Sequence, residues 1–492
     1  MKLRKPLKKS GGFLQKFALI RLLLIVIGIA TFFMIPALIM ALALGEEARA
    51  FILPMGIMAI LVLPVMFLFR TGPLRLSPRE GFLLVFLTWV FLSFLGALPY
   101  YLSPCNISFT DAVFESACAF ATTGATTFDD IEALPRSLLL WRSLSYWFSG
   151  MGIILLSGAL MPLFGIGCFQ LIKAETPGLE KEKLSPRITD TAKFLWFAYL
   201  ILTFTLALLY RLGGMEWFDA VCHGLSIVAT GGVSTKNSGL AFYNSPFIDG
   251  VSTLFMLLAA LNFNMYYRLF RGKFRDILQN TEGRVYAGIF IVAAGIITCT
   301  LVPVYGSFRE ALRHASYQAA SILSTTGNAA ADYETWPLLA QGILFCLMLV
   351  GGCSGSTAGG IKVIRHVVLF KQAGNEIRRV LYPQGVFSIR LNKKVGRKDV
   401  VYSVAGFIFL YMLVAAVTTL ITAVSGVELF SAFSASLSIL GNMGLGFGAV
   451  GPSHNYGGFA NHIKWLFSLV MIAGRLELWT VFVLFTPEYW RR

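Results

Sequence analysis

Long apolar runs alternate with short basic loops along this chain, and four polar, glycine-bearing turns break the alternation. A helix of about 20 apolar residues crosses a bilayer, and most of the runs reach that length. Phe17 to Leu44 is apolar apart from Arg21, and Phe51 to Phe69 returns after the turn Gly45-Glu46-Glu47. Four units follow, each an incoming helix, a short helix that dips into a turn, and an outgoing helix. Unit one runs through Phe82–Leu102, a short helix from about Asp111, and Leu138–Cys168. Unit two runs through Ala192–Leu212, Trp217–Val233 and Phe247–Tyr267. Unit three comprises Val285–Val304, Phe308–Asn328 and an outgoing segment from Pro337. Unit four comprises Val401–Val424, Leu429–Phe447 and Ile463–Phe485. The predicted fold is an all-α polytopic membrane protein, with four helix–pore loop–helix repeats around one pore and two extra N-terminal transmembrane helices. That makes about ten crossings and four re-entrant hairpins. The unit boundaries fall at 1–80 (the two-helix hairpin), 81–173, 174–272, 273–397 and 398–492.

The turns carry the candidate chemistry. They are Thr122-Thr123-Gly124, Thr230-Gly231-Gly232, Thr325-Thr326-Gly327 and, more degenerate, Asn442-Met443-Gly444. Twelve positions before Gly124, Gly232, Gly327 and Gly444 stand Ala112, Ala220, Ala315 and Ala432, and Asp111, Asp219, Glu310 and Glu428 open the short helices. A fixed period marks an internally repeated architecture. Non-helical backbone is tolerated at membrane depth only when packed in protein or lining a watery path. Four such turns about one axis present rings of carbonyls that replace the hydration shell of an alkali cation. One glycine per turn supplies a backbone conformation closed to other residues. The C-terminal ends of the short helices aim partial negative charge at the same place, while the acids offset the opposite ends. Any one copy alone reads rather as a helix C-cap in an extramembrane loop; four in register reverse that and favour the pore.

Composition agrees: 56% hydrophobic, 14% aromatic and 13% charged is a polytopic membrane protein. The net charge of +16 does not indicate nucleic acid, because Lys and Arg sit in short loops between apolar spans. About thirty of them fall in the N-terminal tail, the 70–80, 173–193, 268–284 and 362–398 loops and the C-terminus, against about eight in the other loops. This asymmetry predicts both termini in the cytoplasm and turns opening outward. The first apolar run exceeds a signal peptide's core, so it reads as a retained span. Seven scattered cysteines without C-x-x-C, and five histidines without H-x-x-x-H, indicate neither a disulfide framework nor a zinc site. Gly446 to Gly451 matches G-x-G-x-x-G without the βαβ context that a dinucleotide site needs.

Two features lie outside the turns. The third outgoing segment is interrupted by Gly351-Gly352-Cys353-Ser354-Gly355-Ser356-Thr357-Ala358-Gly359-Gly360. Each glycine costs a helix about 1 kcal/mol against alanine, so a flexible gating loop beneath the turns is expected; the alternative is a close-packing seam of small residues. Arg475, in the last apolar span, costs at least about 2.5–3.5 kcal/mol to insert and therefore faces the interior with a partner. Glu477 is one candidate partner. The carbonyls of the 351–360 loop are the other, with the arginine then a charge barrier in the path.

These residues resemble the Trk/Ktr/HKT potassium transporter superfamily, most closely its bacterial TrkH branch. The three Thr/Gly turns, the run Gly352 to Lys362 and Gly474-Arg475-Leu476-Glu477 carry the likeness, which spans nearly the whole chain. The resemblance implies a homodimer with one pore per subunit, a gating loop at 351–360 and a gating Arg475. It further implies cytosolic TrkA-like subunits that bind nucleotide themselves, so this chain holds no organic cofactor. The basic 362–398 loop would dock them, although anionic lipid headgroups suit it equally. In plant HKT relatives serine at the first-turn glycine goes with sodium transport; Gly124 and its counterparts therefore imply K⁺ as the transported ion. The expected function is selective K⁺ uptake across a bacterial inner membrane, with Na⁺ or proton-coupled K⁺ transport on the same fold as alternatives. A membrane-embedded enzyme would need a nucleophile and base or a metal cluster, and the sequence offers none. Inverted-repeat transport conflicts with four units of one orientation.

Overall fold

The computed structural model describes residues 12–68, 77–155, 188–392, 394–395 and 398–491. The basic tail up to residue 11, loop residues Arg70 and Arg75, residues 156–168 of the first outgoing helix and most of the 173–193 loop lie outside the described residues.

The N-terminal hairpin comprises Gly12–Phe32, Ile35–Leu44 and Arg49–Leu68. The expected single first span is divided at Phe33-Met34, just before Pro36, whose ring removes an N–H and clashes with the carbonyl four residues back. The incoming helices are Pro78–Tyr101, Ile188–Leu212, Thr281–Tyr305 and Lys398–Val424. The first opens with a capping box: Ser77 Oγ accepts from Glu80 N and Glu80 Oε2 accepts from Ser77 N. The short helices, here called pore helices, are Phe109–Ala121, Trp217–Val228, Phe308–Leu323 and Leu429–Leu440.

The outgoing segments differ most from expectation. The first is continuous through its described part, Arg136–Leu155. The second is Pro246–Ala259 followed by Phe263–Phe270, bent by 93°. The third is Leu338–Met348 and Val363–Leu381 with the glycine-rich loop between them. The fourth is Asn461–Arg475 followed by Leu478–Phe485, bent by 113°. Sequence reading expected breaks in the third alone. By length and hydropathy five of the described helices could cross a membrane, or seven with each bent pair taken as one; the third outgoing segment, divided by the loop, is not among them. One two-residue antiparallel pairing, Arg390–Leu391 with Lys394–Val395, is the single departure from an all-helical fold among the described residues.

Each incoming helix packs on its own pore helix. Outgoing helices also pack on the next pore helix: the first on the second, the second on the third, and the fourth on the first. Phe345 of the third meets Phe430 and Phe433 of the fourth pore helix. Two ion pairs clamp these seams, Arg313–Asp249 at 2.7 Å and Lys464–Asp111 at 2.6 Å. The units thus follow one another around a closed ring. Its centre is built from the pore helices, and Ala112, Ala220, Ala315 and Ala432 are fully buried there. Large apolar side chains such as Ile60, Phe204, Ile291 and Phe409 stay exposed on the outside, as a lipid-facing surface requires.

Candidate functional site: four turns at the centre of the ring

All four pore helices end in the same way. Thr122, Thr230, Thr325 and Asn442 take left-handed conformations (φ 50°, 53°, 55° and 54°). The next N–H then folds back five residues: Thr123 to Cys118 O and Gly231 to Ser226 O at 2.8 Å, Thr326 to Ser321 O and Met443 to Ser438 O at 2.9 Å. This is the 6→1 bond of a helix C-cap, so the alternative reading of the turns was locally right. It is the burial of these caps that sets them apart from surface loops. Sequence reading placed the left-handed residue at a glycine. Gly232, Gly327 and Gly444 do take it (φ 65°, 68° and 89°), and a threonine or asparagine earlier in each of the four turns takes it as well.

Gly124 is the exception, and its reason for being glycine is proximity. A Cβ at this position would lie 3.1 Å from the carbonyl oxygens of Gly231 and Met443 and 3.2 Å from that of Gly327. Carbonyls from the other three turns therefore converge on the space before Gly124. The remaining turns contact one another in sequence. A Cβ on Gly232 would strike Thr326 O, one on Gly327 would strike Met443 O, and one on Gly444 would strike the Gly124–Ala125 peptide. Each of the four turns thus contributes residues to one ring. What it offers is a set of backbone oxygens, the donor type suited to a dehydrated alkali cation.

Side chains brace the ring from behind. Tyr146 OH donates to Thr123 O at 2.6 Å. Asn442 Nδ2 donates to Thr123 Oγ1 at 3.1 Å and to Met471 O at 2.9 Å, which gives the degenerate fourth turn a positional reason for asparagine. Asn328 Nδ2 donates to Gly232 O at 3.1 Å, and Tyr456 OH to Gly444 O at 2.9 Å.

The glycine-rich segment is non-helical from Leu349 to Lys362 and divides into two functional halves. Thr357 to Gly360 lie at the pore-helix ends: Gly359 N donates to Thr325 Oγ1 at 2.7 Å, and Thr357 Oγ1 donates to Ala259 O at 3.1 Å and Val228 O at 3.3 Å. Cys353 to Ser356 face the break in the second outgoing segment. There Cys353 N donates to Ala260 O at 2.9 Å and Phe263 N donates to Gly355 O at 3.0 Å. The peptide groups freed by the bend are those the loop pairs with, so break and loop satisfy each other at membrane depth.

Arg475 closes the fourth outgoing helix and is 7% exposed. Its Nη1 donates to Thr357 O at 2.6 Å. Glu477 does not pair with it; that carboxylate takes Arg365 at 2.5 Å, and the Arg365 guanidinium stacks 3.7 Å over Phe407. Neighbours two apart diverge on a helix, and here the helix also ends between them. The third and fourth breaks share a pattern: Gly359-Gly360-Ile361-Lys362 parallels Gly474-Arg475-Leu476-Glu477, and Lys362 and Glu477 are both left-handed (φ 78° and 66°).

Sequence reading missed three polar residues that serve this site. Glu115 and Arg142 form a fully buried pair behind the first turn. Glu282 Oε1 accepts from Ser354 N at 2.6 Å and so holds the Cys353–Ser356 half of the loop. The signal for Glu115 and Arg142 was present, since each is a lone charge in an apolar run, the feature that drew notice to Arg475. Glu282 is inconspicuous because it sits in the first helical turn, where acids are common.

The chain matches the family model described as "TrkH: Cation transport protein" over residues 49–283 and 301–492. It is 39% identical over 424 residues to the Trk system potassium uptake protein TrkH of Salmonella typhimurium, covering 85% of this chain and 87% of that one. It is 35% identical to the Trk system potassium uptake protein TrkG of Escherichia coli over 433 residues, 86% of this chain and 87% of that one. The crystal structure of the potassium transporter TrkH from Vibrio parahaemolyticus superposes with a TM-score of 0.86 at 33% identity, covering 97% of this chain and all of that one. With its multiple apolar helices, a ring of four turns and these matches over most of its length, the chain is a multi-pass membrane protein that belongs to the TrkH cation transport family.

Proposed function

We propose that this chain is a gated pore for potassium uptake across a bacterial inner membrane. The observation that carries the reading is the convergence of the Gly231, Gly327 and Met443 carbonyls on the space before Gly124. K⁺ is the transported ion and sheds water there against the oxygens of Thr122–Gly124, Thr230–Gly232, Thr325–Gly327 and Asn442–Gly444. Pore-helix C-termini add partial negative charge around it. The matched relatives are named as potassium uptake proteins, which supports a transporter and not an enzyme.

The loop from Gly351 to Gly360 and Arg475 form the gate. In the observed arrangement the loop lies against the pore-helix ends and Arg475 is bonded to its Thr357 carbonyl. At an effective dielectric of about 20, two unit charges roughly 6 Å apart repel by about 3 kcal/mol, enough to slow a cation more than a hundredfold. Opening moves the loop aside and the guanidinium with it. Each repeat (81–173, 174–272, 273–397 and 398–492) contributes one quarter of the pore, and the 1–80 hairpin packs outside. Termini and basic loops face the cytoplasm, where a nucleotide-binding TrkA-like subunit docks on the 362–398 face of a homodimer.

The test is growth at micromolar K⁺ of a bacterium stripped of its own uptake systems. Wild type is expected to rescue it, and Gly124→Ser, which places a hydroxyl among the three converging carbonyls, to weaken rescue or make it Na⁺-sensitive. Rescue indifferent to Gly124→Ser would remove the first turn from the ion path. No rescue with a TrkA-like subunit co-expressed and the chain in the membrane would sink potassium uptake itself.

A further inference from the structure

Nine positions before the four turn glycines stand Glu115, His223, Gln318 and Ala435, so one place in the repeat carries four different chemistries. All are buried, at 0%, 0%, 1% and 0% exposure. Each lies on its pore helix.

The limbs that lead away from the turns are held in unlike ways. In unit four, Phe447 N donates to Ser434 Oγ at 2.7 Å, and in unit three Asn328 N donates to Ser321 Oγ at 2.8 Å; both holders are neutral hydroxyls. In unit one the holder is a carboxylate. Glu115 Oε1 accepts from Thr127 N at 2.6 Å and Thr126 Oγ1 at 2.7 Å. Its other oxygen faces Arg142 Nε of the first outgoing helix at 3.3 Å, with both side chains at most 2% exposed. Arg142 reaches on to the second limb, where Nη1 donates to Ser234 O at 3.4 Å. Ser234 Oγ bonds His223 Nε2 at 2.9 Å, and His223 Nδ1 bonds Asp219 O at 2.7 Å. One continuous polar chain, Thr127–Glu115–Arg142–Ser234–His223, therefore joins the first turn to the second. Gln318, at the third equivalent, has no hydrogen-bond partner for either amide atom among the described residues.

A buried ion pair contributes little net stability, but leaving one member unpaired is strongly unfavourable, so the pair resists being pulled apart. Here it resists a change in spacing between two limbs of the carbonyl ring. Resting on the reading of the turns as an ion filter, we propose that Glu115 and Arg142 are positioning residues that set the spacing of turns one and two and thereby the discrimination of K⁺ from the smaller Na⁺. Their action is through the backbone, since neither contacts the ion path.

The experiment measures K⁺ and Na⁺ uptake and the amount of protein in the membrane for wild type, Glu115→Gln and the double variant Glu115→Gln/Arg142→Gln. Glutamine keeps an acceptor for Thr127 N and loses the charge; the double variant leaves no buried charge unpaired. Both are expected to lower the K⁺-over-Na⁺ preference about tenfold and to raise KM for K⁺, with the maximal rate per molecule within about twofold of wild type. Wild-type preference in either variant, with only abundance or maximal rate reduced, would overturn the proposal and leave the pair as packing. If Glu115→Gln does not accumulate, the double variant decides alone. Failure of the wild type to take up K⁺ would instead strike at the pore reading, so the two failures are distinguishable.

Discussion

Gly327 and Gly124 serve the same ring for different physical reasons, and substitution separates them. Gly327 sits at φ 68°, where a side chain costs about 1–2 kcal/mol, and a Cβ would also collide with Met443 O, a backbone atom that cannot swing away. Gly327→Ala is expected to abolish K⁺ uptake and lower thermal stability by several degrees. At Gly124 the backbone is not left-handed, and a Cβ has 3.1–3.2 Å to its three nearest atoms. Gly124→Ala is expected to accumulate normally and conduct less. Parallel uptake and thermal-melt measurements check both; equal melting losses would mean that the Gly124 space is needed for folding instead of for the ion.

The loop between the two halves of the third outgoing segment is held by few bonds, and these can be removed one at a time. Thr357→Val keeps shape but deletes the hydroxyl that donates to Ala259 O and Val228 O. A net hydrogen bond of about 1 kcal/mol corresponds to a fivefold shift in the closed-to-open ratio. Single-channel or flux recordings are expected to show roughly that increase. Arg475→Ala removes both the bond to Thr357 O and the charge, so it is expected to raise flux further, by about tenfold or more. Unchanged flux in Arg475→Ala would exclude this residue from the gate. The same element explains the bend in the second outgoing segment. A helix continues when its N–H and C=O groups have nowhere else to pair, and at Ala260 and Phe263 the loop supplies that alternative.

Across the entire molecule, the ring closes because outgoing helices lean on the next pore helix, and exposed apolar side chains face outward. Orientation rests on the distribution of Lys and Arg, which the bilayer reads during insertion. In a cysteine-free background, Glu132→Cys is expected to react with a membrane-impermeant maleimide in intact spheroplasts, and Gln384→Cys only after permeabilisation; both positions are exposed. The reverse pattern would invert the pore and place Arg475 on the outer side of the ring.

The recurring unit was legible in the amino-acid order because its signals are local. An acid, an alanine and a Thr/Gly turn lie within about one short helix of each other, and helix starts and C-caps are decided over such distances. The glycine-rich run announced a break for the same reason. Partnerships across the ring were not legible. Thr357 is 118 positions from Arg475, and Glu477 turned to Arg365, 112 positions away, instead of its neighbour. Glu115 and Arg142 were each visible as misplaced charges, yet nothing along the chain indicated that they face each other or that Ser234 completes the link. Sequence order alone could predict that polar backbone would be buried in a bilayer and that it would need partners. Which groups became those partners depended on how four outgoing segments packed around one centre, since a hydrogen bond is settled by positions in space that only the folded ring brings within 3 Å.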